Sequence, residues 1–234
     1  MRTVRDDPLE PDPGFADLYA SLPDATDLEP WLGWCRQARG PLLYLGVGAG
    51  RLAVPLHTSG VEIVGVDAHP GMLDRLRSRL PGVQLHRARI EELALGRRFD
   101  LVIAPSNILN TPRRLAAAAL HAERRLGLEL VNPHWLLAGG DGGVRLRSTT
   151  GHRAEIEVDY EGGFTQLASV DLVWPEAVED FLEPVGLELE LMRGHADDDL
   201  EDSPSFFVLA KRPSTWVSQP PAASRLRSDQ TPST

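Results

Sequence analysis

A chain of 234 residues, 42% of them hydrophobic, is long enough to bury one sizeable core, and a net charge of −10 removes the electrostatic reason to approach a polyanion. Its one cysteine, Cys35, excludes an intrachain disulfide framework and a thiolate zinc site. The first residues lack the apolar run of a signal peptide, and no stretch approaches the roughly 18 apolar residues of a membrane span. A cytoplasmic protein with a small-molecule substrate is therefore expected, with no nucleic acid and no membrane as partner.

Residues 1–14 carry three prolines and a cluster of acids, which predicts a flexible N-terminal arm. Phe15, Leu18, Tyr19 and Leu22 then recur at helical spacing, and Asp27 is placed to cap a second helix carrying Leu28, Trp31, Leu32 and Cys35. From Leu42 the chain alternates strand and helix as a parallel sheet requires. The apolar run 42–45 is a buried strand, followed by a glycine loop and a helix from about Arg51 to His57. A second strand over 63–66 leads into a helix over 70–80. A short third strand covers 83–85, a fourth covers 99–104, and a helix starting at Pro112 and running to Arg125 precedes a fifth strand over 126–131.

The period then changes. Residues 144–146, 154–160 and 166–173 alternate in steps of two, the pattern of half-exposed antiparallel strands. A helix over 176–182 and a final strand pair, 187–192 and 206–210, close the sheet, with the acidic run 197–202 as a solvated loop. The Ser- and Pro-rich stretch 214–234 predicts a disordered tail. The fold class is α/β: a doubly wound, mostly parallel seven-stranded Rossmann-like sheet with an antiparallel β insertion after the fifth strand, at about 144–173.

The chemistry concentrates after the first strand. Gly46-Val47-Gly48-Ala49-Gly50 lets the backbone turn sharply and leaves main chain bare for a ligand, beside unpaired N–H groups at a helix start. Asp67 ends the second strand, and a right-handed β-α-β unit sets that carboxylate beside the loop, where a ribose presents two hydroxyls. The dinucleotide fingerprint would need glycine at position 51, which is Arg51. A dehydrogenase is disfavoured.

The G-x-G-x-G spacing followed by an acid after the next strand resembles the class I S-adenosylmethionine-dependent methyltransferases. VGVDAHPGMLDRLRSRL looks like the second strand and helix of that family, FDLVIAPSNILNTP like its fourth strand and loop, and GHADDDLEDSPSFFVLAKRP like the last hairpin of its bacterial small-molecule members. The resemblance implies one methyltransferase domain over 15–213, with S-adenosyl-L-methionine as cofactor. Its contacts would be Gly46, Gly48, Gly50, Asp67, Ala68, Met72, Ile90, Glu91 and Pro105. Either Glu91 or the backbone of Ile90 would meet the adenine, since Arg89 offers no acceptor. Family members carry Glu or Asp at the position of Tyr44, where this chain has a phenol.

Methyl transfer asks mainly for placement of a nucleophile and, where needed, removal of its proton. His134 is the candidate base after the fifth strand. Asn107 and Asn110 are candidates for polar contacts, and Tyr19 for a cation-π contact over the sulfonium. Trp31 and Trp34 read as packing, and the remaining histidines are too scattered to suggest a metal site. The insertion would form either a wall over the substrate or a subunit contact, as in a homodimer. The competing reading is a non-methylating relative, a binding or regulatory protein or a cyclase-type enzyme, that keeps the fold with Tyr44 in place of the acid.

Overall fold

The computed structural model describes residues 2–5, 7, 9–140, 142–195, 200 and 202–213. The tail expected over 214–234 and most of the acidic run 197–202 fall outside the described residues. In chain order the elements are β1 (Arg2–Arg5), α1 (Pro13–Ser21), α2 (Trp31–Cys35), β2 (Leu42–Leu45), α3 (Ala53–Thr58), β3 (Ile63–Asp67), α4 (Pro70–Arg79) and β4 (Gln84–Arg87). They continue with β5 (Phe99–Ala104), α5 (Pro112–Ala119), β6 (Ala122–Val131), α6 (Pro133–Leu137), β7 (Val144–Thr150), β8 (Arg153–Tyr160) and β9 (Phe164–Asp171). The last are α7 (Val178–Leu182), β10 (Glu188–Arg193) and β11 (Ser205–Lys211).

The main sheet has the order β10-β11-β6-β5-β2-β3-β4, parallel except where β11 runs against both β6 and β10. This is the doubly wound sheet expected, with its carboxyl-end crevice above β2 and β5. One face packs Leu43, Leu45, Val102, Leu126, Leu128 and Val208 under α5 and α7, and the other packs Leu42, Tyr44, Ile103 and Leu209 under α2 and α3. On that second face Gly127 stands in register between Ile103 and Leu209. A Cβ there would lie 2.7 Å from the Trp34 ring, so the bare glycine is what lets the indole approach the sheet this closely. Trp31 meets Trp34 and Phe207 edge-on, at 5.2 and 5.5 Å between ring centroids. Both indoles are packing residues.

The insertion is a second sheet of order β1-β9-β8-β7. Its alternation was visible in the sequence, but its fourth strand was not. Arg2–Arg5, part of the stretch expected to be a flexible arm, pairs in parallel with β9, from Arg2 opposite Phe164 to Arg5 opposite Leu167. Val4 is fully buried there. The arm is held by backbone pairing and by Arg2 to Asp17 on α1, gains that its own composition does not advertise.

Two boundaries also moved. The second helix begins at Trp31, and Asp27 instead accepts from the Glu29 N–H in the turn before it. The fifth-strand segment starts at Ala122, not Leu126, and its first residues extend where a helix to Arg125 was expected. Arg124 reaches Asp100 on β5, and Arg125 pairs with Glu190 on β10 and Gln37, cross-strand partners that outweigh the helix preference of the segment. No helix among the described residues is long and apolar enough to cross a membrane.

Candidate active site

β2 is buried along its whole length, so the polypeptide can leave the sheet only by turning at its carboxyl end. Gly46, Gly48 and Gly50 take φ of 66°, 57° and 93°, the left-handed region that glycine enters without strain. They do different jobs. A Cβ on Gly46 would sit 1.9 Å from Ile108 Cδ1, and one on Gly50 2.6 Å from Leu76 Cδ1 on α4, so both glycines admit a close neighbour. A Cβ on Gly48 would meet only the Gly46 carbonyl oxygen at 3.9 Å, and otherwise open space. Gly48 is the bare face turned to the cavity.

Asp67 closes the loop from the side. Its Oδ2 accepts from the Gly48 N–H at 2.8 Å and its Oδ1 from the His69 N–H at 2.8 Å, leaving further lone pairs on each oxygen for a ligand. Burial raises the Asp67 carboxyl above its ordinary range, although the two backbone N–H groups pull the other way. A ribose bound there needs the ionised form, so affinity for an adenosyl ligand should fall by up to tenfold per pH unit below that raised value, as titrations taken progressively toward acid would show. For the empty fold the sign is opposite. A folded-state pKa above the unfolded one gives stability that is present below the ordinary value of 3.8 and lost as pH rises through the raised one.

Around this corner lies a chamber of about 380 Å³. Met72 from α4, Ala68 and Ile90 line the side nearest Asp67, while Phe15 and Tyr19 come in from α1 with ring centroids 4.7 Å apart. Ile156, Val158 and Val170 form an apolar wall from the insertion, and Asn107, Asn110 and Glu129 add polar groups from the carboxyl ends of β5 and β6. Met72 is buried against Ala16 and Ala49, so its thioether is a fixed surface.

The structure therefore brings most of the residues singled out from sequence together. Gly46, Gly48, Asp67, Ala68, Met72, Ile90, Glu91, Tyr19 and Asn107 all border the chamber. Pro105 borders a second cavity of about 340 Å³ on the other side of the loop, which shares Tyr19, Gly46, Gly48, Ser106 and Glu129 with the first. Gly50 borders neither and acts through the turn. Glu91 accepts from Arg114 Nε at 3.3 Å, with Arg89 at 3.8 Å. Burial acts to raise its carboxyl, but its backbone hydrogen bond and these two cations hold it below the usual carboxylate range. Arg89 is thus tied to Glu91 and Glu92, not aimed at a base.

His134 is not brought to the chamber. It lies on α6, with Nε2 3.2 Å from a Glu176 carboxylate oxygen and its ring edge-on to Trp174 at 4.8 Å between centroids. Asn132 caps the same helix by accepting from the His134 N–H, and its amide donates to the carbonyls of Leu200 and Ser203. Both serve the junction between sheet and insertion.

Asn107 and Ser106 form the sharpest turn in the site, with φ of 59° and 62°. Such a pair is uncommon outside glycine and persists only when its surroundings over-determine it. Here the Asn107 N–H donates to the Glu129 carbonyl at 3.1 Å, Asn107 Oδ1 accepts from the Val131 N–H at 3.1 Å, and the Ser106 N–H donates to Glu129 Oε2 at 2.8 Å. Asn107 Nδ2 finds no partner among the described residues, which leaves a donor at the chamber wall.

Glu129 was not singled out from sequence. The Ser205 hydroxyl donates to its Oε1 at 2.7 Å, and Ser205 Oγ is 2.8 Å from His195 Nε2, which must therefore carry the hydrogen. Burial would raise this carboxyl, but hydrogen bonding from His195, the Ser106 N–H and Ser205 holds it below the usual range. The visible signal was a lone Glu between Leu128 and Leu130 at the carboxyl end of a buried strand.

The residues present fit S-adenosylmethionine. A carboxylate with spare lone pairs borders the chamber, a bare glycine lies beside it, and an apolar slot of Met72, Ala68 and Ile90 continues from it. Comparison with known proteins agrees. Residues 42–126 match the family description "Methyltransferase domain". The ribosomal protein L11 methyltransferase of Cupriavidus metallidurans is 34% identical over 130 residues, covering 53% of this chain and 40% of that protein. The chain thus spans less than half the length of such curated relatives. Among solved structures, the CcbJ methyltransferase from Streptomyces caelestis shares the fold with a TM-score of 0.67 at 22% identity, over 85% of this chain and 96% of that one. CalS10, an amino pentose methyltransferase from Micromonospora echinaspora solved with S-adenosylmethionine bound, gives 0.61 at 22% identity over 78% and 87%. Residues 42–126 thus match a methyltransferase domain, and over most of its length the chain shares the fold of S-adenosylmethionine-dependent methyltransferases.

Proposed function

We propose that the protein methylates a small molecule, using S-adenosylmethionine as the donor. The observation that carries this reading is the continuity of one chamber from the Gly48 and Asp67 corner to the apolar wall of the insertion, so that donor and acceptor can share a single cavity. S-adenosylmethionine supplies there a methyl group already activated on a sulfonium. The protein's part is placement and exclusion of water.

Asp67 holds the ribose through its two oxygens, and Gly48 gives the ligand room to lie on the main chain. Met72, Ala68 and Ile90 take the base. Tyr19 presents its ring at the seam between the two cavities, where a positive centre is stabilised by the π face. Asn107 offers its Nδ2 to a polar atom of the acceptor. Opposite it, Ile156, Val158 and Val170 receive an apolar portion, with the Tyr160 hydroxyl donating to Gln166 Oε1 at 2.8 Å beside them. β1 and α1 help cover this space, and α1 is fastened to α4 by Asp17 and Arg75. That enclosure favours a small acceptor over a folded protein.

The test is where the methyl goes. Incubation with S-adenosylmethionine labelled in its methyl group and a host extract split by size should put label in the low-molecular-mass fraction. Label confined to the protein fraction would overturn the small-molecule reading.

A further inference from the structure

The second cavity carries charge that the adenosyl corner does not use. From the glycine loop it runs past Tyr44, Arg51 and Glu129 to His195 and Phe207, without touching the insertion wall. A ligand whose ribose rests on Asp67 and whose chain follows the loop past Gly48 and Gly46 reaches the point where the two cavities meet. That point is bordered by Gly46, Ser106 and Glu129. The far end of S-adenosylmethionine is an α-amino acid, so an ammonium and a carboxylate must be met there. This inference rests on the reading of the cofactor given above.

Tyr44 is a poor partner for the ammonium. It is buried, and burial followed by the nearby charges of Glu129 and Asp67 pushes its hydroxyl far above the neutral range, so it stays a neutral phenol. Two strands away, Glu129 stands on the same side of the sheet. Tyr44, Ile103 and Gly127 are in register across β2, β5 and β6, and Glu129 is two residues beyond Gly127. Its side chain is 19% exposed; the Ser205 hydroxyl donates to Oε1, the Ser106 N–H donates to Oε2, and His195 Nε2 lies 3.8 Å from Oε1. A carboxylate has about four acceptor directions, so with all three neighbours counted one still remains. Asp27 and Glu29 also border this cavity but not the first chamber, so neither stands at the seam where the cavities meet.

We propose that Glu129 binds the α-ammonium of the cofactor's amino-acid end, taking the anionic role that Tyr44 does not fill, while Ser205 and His195 position its carboxylate. The Ser106–Asn107 turn gains a reason by the same geometry. Its left-handed backbone turns the Ser106 N–H onto Glu129 and so fixes the carboxylate at the seam between the cavities.

The experiment is equilibrium titration of the full chain with S-adenosylhomocysteine and with the analogue in which hydrogen replaces the α-amino group, for the wild type and Glu129→Gln. Glutamine keeps the shape and an acceptor for the Ser106 N–H but removes the charge. The wild type should prefer S-adenosylhomocysteine by about 10- to 100-fold, the range for a hydrogen bond between charged groups. Glu129→Gln should reduce that preference to within about 3-fold while leaving affinity for the analogue within about 3-fold of wild type.

A wild type that binds both ligands equally, or a variant that keeps the preference, overturns the proposal. Equal weakening of both ligands overturns it too, because that is the signature of a merely structural Glu129. The wild-type comparison needs no variant to fold. Absence of S-adenosylhomocysteine binding by the wild type would instead remove the cofactor reading, and the inference with it.

Discussion

Asp67→Ala should lower affinity for S-adenosylhomocysteine by about 100-fold or more, with the thermal midpoint of the empty protein changed little. Each ribose hydroxyl donating to an ionised acceptor is worth about 1.5 to 3 kcal/mol, and Asp67 is placed to take two. Two such bonds correspond to at least a hundredfold at about 1.4 kcal/mol per decade. The substitution also frees the Gly48 and His69 N–H groups, so the loop loses its brace on the side where the ligand enters. Stability should respond less. Burial of this carboxylate is unfavourable in the absence of ligand, as its raised pKa records, and removing it relieves that cost while losing two backbone contacts. Affinity within about threefold of wild type would show that Asp67 only shapes the loop.

Gly48→Ala should produce a folded protein that binds cofactor poorly. Its φ of 57° costs a non-glycine residue about 1 kcal/mol, and the new methyl group meets nothing of the protein closer than 3.9 Å. The methyl stands instead in the space the ligand would occupy, so affinity should fall by more than about tenfold for a loss of roughly 1 kcal/mol in stability. Gly46→Ala and Gly50→Ala differ in kind. Their Cβ atoms would run into Ile108 and Leu76, so stability and affinity should fall together. Paired denaturation and titration of Gly48→Ala provides the check, and unchanged cofactor affinity would place the ligand elsewhere.

What the sequence revealed and what it hid follow from the range of the interactions involved. The glycine loop, Asp67 and the Met72 helix are legible because a β-α-β unit fixes their relation within one short segment. The alternating strands of the insertion were legible because one of their faces, carrying Ala154, Ile156 and Val170, is buried together with Leu136 of α6. β1 was hidden because Arg2–Arg5 becomes a strand only by pairing with Phe164–Leu167, which lie far away in sequence. The start of β6 was hidden because Arg124 and Arg125 find their partners on β5 and β10.

The same rule sorts the candidate polar residues. His134 looked suitable because it follows a strand that ends at the crevice, yet the intervening Asn132 cap turns α6 so that its imidazole meets Glu176 and Trp174. Glu129, His195 and Ser205 are separated in sequence and meet only because β11 lies antiparallel beside β6. Tyr44 departs from the acid expected at its position, and the carboxylate proposed to take that role, Glu129, comes from another strand.

The corner built by Gly46, Gly48 and Asp67 should hold an adenosyl cofactor bearing an amino-acid tail. Calorimetric titration of the wild-type chain with S-adenosylhomocysteine tests it most directly. Saturable one-to-one binding with a dissociation constant on the order of micromolar, about −8 kcal/mol, is the result predicted. No detectable heat at millimolar ligand would contradict the account and leave a class I methyltransferase fold whose glycine loop serves something else.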